Sequence, residues 1–139
     1  MALTFNKFDI FVQDVGRKVH NLNSDTLNFA LSNVAPVAGN TVIANITQIA
    51  AGNGYSTGGA SLTAVSFTQA AGLAKLLGTA PTWTASGTMA TFRYIVLYNL
   101  TAAGGPLIGW YDRGAGLALA DTETYTPTTD AGNGILTIQ

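Results

Sequence analysis

Turn signals rich in glycine and asparagine cut this chain into short pieces at intervals of about ten residues, the spacing of β-sandwiches and barrels. They fall at Ala38-Gly39-Asn40, Gly52-Asn53-Gly54, Gly58-Gly59, Ser86-Gly87, Gly104-Gly105-Pro106, Gly114-Ala115-Gly116 and Asp130-Ala131-Gly132-Asn133-Gly134. Glycine reaches positive φ without a Cβ clash, and asparagine tolerates it, so each cluster is a place where the chain can reverse. A chain punctuated this often has little room for long helices.

The pieces between the turns alternate with period two. Leu27, Phe29 and Leu31 alternate with Asn28, Ala30 and Ser32, the cleanest half-buried strand of the chain. Phe8, Ile10 and Val12 alternate with Asp9, Phe11 and Gln13 and read as another strand. Thr41–Ala50 is β-branched and bounded by turns, and Ser61–Thr68 is a further short run. Thr88–Asn99 is the longest piece, with Phe92, Tyr94, Val96 and Tyr98 on one face and Thr91, Arg93, Ile95 and Leu97 on the other. Both faces are largely apolar, as befits a central strand. Pro106–Asp112, Thr122–Thr126 and Ile135–Gln139 complete the set, and only Gln69–Leu77 (QAAGLAKLL) reads as one or two helical turns. The expectation is an all-β, single-domain antiparallel sandwich, jelly-roll-like, over residues 26–139. Residues 1–25 form an N-terminal extended segment, either an arm or an edge hairpin.

Charge is scarce and segregated. Asp, Glu, Lys and Arg make up 9% of the 139 residues, against a usual share of about 25%. Between Thr26 and Phe92 the only formal charge is Lys75, whereas six of the thirteen charged residues (Lys7, Asp9, Asp14, Arg17, Lys18 and Asp25) precede Thr26. Hydrophobic residues at 47% and a net charge of −1 argue against disorder. The same balance argues against nucleic acid, because no basic stripe exists to neutralise phosphates. No apolar run approaches the ~20 residues of a membrane span, and the first residues do not read as a signal peptide. With no cysteine, disulfides and thiolate metal sites are excluded. A threonine- and asparagine-coated surface with so little charge holds water without repelling its neighbours, which suits a protein packed against other protein.

Signals for chemistry are weak. The only histidine, His20, sits in the polar stretch KVHNLNSD and reads as an exposed loop residue; no G-x-S-x-G elbow accompanies it. Asp121 and Glu123 lie two apart and read as solvated acids rather than a catalytic pair across a cleft. Asp112, Asp121, Glu123, Asp130 and Asn133 could supply oxygens to calcium, but no D-x-[DN]-x-[DN]-G loop is present. Gly52–Gly59 (GNGYSTGG) matches neither phosphate-binding glycine pattern and reads as a tight connection anchored by the Tyr55 ring and hydroxyl. Tyr55, Trp83, Trp110, Tyr111 and Tyr125 are the candidate interface anchors, since Trp and Tyr are enriched at interface hot spots. Aromatics of this kind could alternatively line a carbohydrate-binding platform. No catalytic residue and no cofactor is assigned, and the reading is not that of an enzyme.

Gly52–Gly59, followed by Pro81-Thr82-Trp83-Thr84, Phe92–Tyr98, Pro106–Asp112 and Gly134–Ile138, and preceded by Asp25–Asn33, resembles a family of small structural proteins in the morphogenesis modules of tailed bacteriophages. The resemblance spans roughly Asp25 to Ile138. It implies a virion component, foremost a capsid decoration (cement) protein on the capsid exterior, with the major capsid protein and further copies of itself (a homotrimer) as partners. Nucleic acid and membrane are not among them. A tail, baseplate or head–tail connector component is the alternative station. The family brings no catalytic residues.

Overall fold

A computed structural model describes residues 3–139. The fold is all-β and antiparallel, with three sheets around a shared core. Strand β1 (Phe5–Lys7) opens the chain, followed by helix α1 (Asp9–Gly16) and β2 (Leu27–Ser32). A single 3-10 turn (Ile43–Asn45) precedes β3 (Ala60–Ser61), β4 (Thr63–Ala70), β5 (Leu73–Thr79) and β6 (Trp83–Thr84). The chain ends with β7 (Phe92–Asn99), β8 (Leu107–Leu117), β9 (Thr124–Tyr125) and β10 (Leu136–Ile138). The largest sheet has the order β1-β8-β7-β2-β3, the second β10-β5-β4, and a short pair joins β6 to β9.

The main core lies where the large sheet faces the smaller ones. Phe29, Leu31, Ile95, Leu97 and Tyr111 meet Leu76, Trp83, Met89, Ile135 and Leu136 there. A second cluster (Phe8, Ala30, Ile46, Val96, Tyr98 and Leu107) lies on the other face of the same sheet. Strand β7, between β2 and β8, therefore buries both faces, as its sequence demands. A register shift between Phe92 and Tyr94 breaks the simple alternation and carries Phe92 into the main core, away from the face of Val96 and Tyr98.

Three segments depart from the sequence expectation. Phe8–Val12 is not a strand; α1 begins at Asp9, with Phe8 in an extended N-cap and an acid in the first turn, where the helix dipole favours it. Phe8, Phe11 and Asp14 recur at helical spacing and are the buried positions, so three-residue periodicity won over an alternation only five residues long. Gln69–Leu77 is not helical; β4 and β5 form a hairpin pairing Ala70 with Leu73. Its two-residue turn uses Ala71 (φ 52°) and Gly72 (φ 82°), the double left-handed conformation that matches strand twist. Thr41–Ala50 is not a continuous strand either. The Asn45 side-chain oxygen accepts from the Thr41 and Val42 N–H groups (3.0 and 3.1 Å) and curls the chain into the 3-10 turn. This lets Ile46 enter the second cluster and Ile49 the main core.

Candidate functional site

The five candidate anchors separate into two groups. Tyr55, Trp83 and Tyr111 are buried (2, 4 and 2% exposed) and belong to the protein's own core, which corrects their reading as interface residues. Trp110 and Tyr125 are half-buried. Trp110 leans on Phe8, with ring centroids 4.5 Å apart. Tyr125 packs on Phe92 at 5.1 Å and lies under the Arg113 guanidinium at 5.2 Å, a cation–π contact. No described aromatic is freely exposed; Tyr94, like Trp110 and Tyr125, is half-buried.

Tyr55 does what its loop implies, but inward. Gly52 and Tyr55 pair through both backbone groups, and the ring enters the main core. Its hydroxyl donates to Gln48 Oε1 (2.6 Å) and accepts from the Leu31 N–H (3.1 Å). Burial pushes the phenol up to about 12. Gln48 Oε1 also accepts from the Gly58 N–H (2.7 Å), and the Gly58 carbonyl accepts from the Tyr98 hydroxyl (2.6 Å) and Asn28 Nδ2 (3.1 Å). Gly59 has φ 77°, and a Cβ there would run into the Phe29 carbonyl. The glycine-rich loop is thus stitched along β2, with every polar group neutral. Tyr111 is held similarly, its hydroxyl donating to the Ile135 carbonyl at 3.1 Å.

The charged candidates do not converge. Arg93 grips Asp112 in a two-pronged pair (2.7 and 2.9 Å), which raises the Arg93 guanidinium and lowers the Asp112 carboxyl. Asp121 accepts from the Gly87 N–H, Glu123 from the Ala120 N–H, and Asp130 from Gly132 and Asn133 within its own turn. The backbone bonds from Asn133 and Gly132 hold Asp130 below the usual carboxylate range. Among the described residues no three His, Asp or Glu side chains gather at a point that could hold a metal. No described helix is long and apolar enough to cross a membrane.

His20 is not the exposed loop residue that its polar surroundings suggest. Its side chain is fully buried, stacked near Phe11 (centroids 5.4 Å apart). Nδ1 lies 3.1 Å from Asn99 Nδ2, and Nε2 faces Asp14 Oδ2 at 3.9 Å. The same Asn99 amide donates to Asp25 Oδ2 at 2.7 Å. The sequence offered one usable hint: Asn99 ends the long apolar piece Thr88–Asn99 beside a turn, where a side-chain amide commonly bonds the backbone.

Clefts open on the surface of the described residues. One, of about 750 Å³, runs between the open edges of β1 and β10, with Phe11, Val12, Val15, Tyr111 and Leu136 among its walls. Another, of about 450 Å³, opens over Val15, Lys18, His20, Asp25 and Phe67. No family model, no curated protein and no solved structure matches this chain.

Proposed function

We propose that this protein is a structural component of a tailed-bacteriophage virion, a decoration protein that binds the major capsid protein lattice from outside as a homo-oligomer. Binding to the expanded shell, and not to its precursor, would stabilise the expanded head by mass action. The β4–β5 hairpin is the main physical support. Strand β4 is an outer edge of its sheet and is largely exposed, yet it carries no charged residue and no proline. Free edges are normally guarded by charge, proline or a bulge, because unpaired N–H and C=O groups recruit further strands. A bulge between Thr63 and Ser66 guards one end, and the Asn23 side-chain oxygen takes the Phe67 N–H at 3.2 Å; Thr68–Ala70 carries no charge and no proline. The nearest charge, Lys75 on β5, is directed to the Gly132 carbonyl at 2.9 Å. An exposed edge with so few guards beyond Phe67 suits a protein whose working state covers it with other protein.

The test is cosedimentation of the purified chain with expanded and unexpanded heads, with cryo-electron microscopy of virions that contain it. Density on the capsid exterior at lattice copy number, and selective binding to expanded heads, are the expected results. Density in a tail, baseplate or connector would move the protein to the alternative station, and absence from particles would remove the assignment. Thr68→Glu places a guard on β4 opposite Lys75; it should weaken head binding at least tenfold while shifting stability by less than about 0.5 kcal/mol.

A further inference from the structure

We propose that His20 is an acid-released latch: it joins α1 and the Val19–Asp25 loop to the β7–β8 turn only while its ring is neutral. The geometry rests on Asn99, which is fully buried. Asn99 Oδ1 accepts from the Thr101 and Ala102 N–H groups (2.9 and 3.1 Å), and Nδ2 donates to Asp25 Oδ2 (2.7 Å). Turning the amide over would set its NH₂ against two backbone donors and its oxygen against a carboxylate. Its orientation is therefore determined, and the remaining N–H of Nδ2 points at His20 Nδ1. Nδ1 must accept, so the ring proton of the neutral form sits on Nε2. A second proton would go to Nδ1, directly against the Asn99 donor.

The surrounding charges oppose this only in part. Asp14 faces Nε2 from α1 at 3.9 Å, Asp25 lies beyond Asn99 in the following loop, and Lys18 stands at the rim of the adjacent cleft. From β7 the facing group is the uncharged Asn99, and from β4 Phe67 lines the cleft. Asp14 and Asp25 favour the cation, but burial outweighs them and lowers the His20 pKa below 6.5. The sign follows. Between 6.5 and that lower value the opened form takes the proton and the closed form does not, so the junction weakens as pH falls through this window. Release would uncover Phe11, which packs on the ring, and the neighbouring walls of the larger cleft.

His20 is the only histidine, so no other side chain has an ordinary pKa in this range. Hydrogen exchange on the intact chain between pH 7 and 5.5 tests the latch. Protection factors at Arg17, Val19, Thr101 and Ala102 should fall by up to tenfold per pH unit, while those at Leu97 and Tyr111 hold. His20→Asn keeps an acceptor near Nδ1 but cannot titrate, and should abolish that pH dependence. Junction amides that keep their protection, or a His20→Asn protein with the same pH profile, would overturn the proposal. Should that variant fail to fold, an NMR titration of the wild-type ring decides: titration below 6.5 from an Nε2–H tautomer supports the latch, and titration at or above 6.5 refutes it.

Discussion

Two buried polar junctions hold loops to the large sheet of this protein, and they differ in one respect that matters. At Tyr55 the phenol, Gln48, Gly58, Tyr98 and Asn28 exchange hydrogen bonds among uncharged groups. At His20 an imidazole and two carboxylates share the work with Asn99. Both satisfy the rule that buried polar atoms need partners, with the exception of His20 Nε2, which has none within hydrogen-bond distance among the described residues. The first junction is indifferent to pH across the range in which proteins work; the second depends on a proton. A chain can thus make one loop a permanent part of its scaffold and another conditional by the choice of a single titratable side chain.

The comparison breaks most severely at Gly59. Gly59→Ala adds a Cβ against the Phe29 carbonyl at a residue with φ 77° and should cost about 3 kcal/mol or more, read by urea denaturation. Tyr55→Phe keeps the ring and deletes the hydroxyl, leaving the Leu31 N–H and Gln48 Oε1 without that partner; a loss of about 1–3 kcal/mol is expected, equal at pH 5.5 and pH 7.5. A loss that changed over this range would show that the Tyr55 junction is coupled to His20. Ala71→Asn should stabilise the protein by roughly 0.5–1 kcal/mol, because asparagine tolerates the left-handed turn position better than alanine. A destabilised variant would mean that the β4–β5 turn is not built as described. The smallest effect belongs to Arg93→Gln. The pair with Asp112 is more than a third exposed, so solvent screens it, and thermal denaturation should barely move despite its good geometry.

What the sequence reading recovered, it recovered through local physics. Leu27–Ser32 alternates, and it is a strand; Phe92–Asn99 is apolar on both faces, and it lies between two other strands. The Gly52–Gly59 loop needs positive φ and a ring to anchor it, and has both. Where the reading failed, two local rules competed over too few residues. Phe8–Val12 satisfies period two, but Phe8 and Phe11 also satisfy a helical turn, and the main core takes Phe11. QAAGLAKLL is rich in helix formers, and only the pairing of β5 with β4 and β10 pulls it into a sheet.

Turn chemistry and alternation, both of them short-range, settled the β class of this protein and its many reversals, and composition settled how little charge its surface carries. Burial was decided elsewhere. Tyr55, Trp83 and Tyr111 became core rather than surface, and His20 became a buried base, because β2, β7 and β8 come from distant parts of the chain and set which face each side chain joins. A residue's neighbours along the chain govern its φ and ψ; its neighbours across the sheet govern its solvent, and with it the proton on His20.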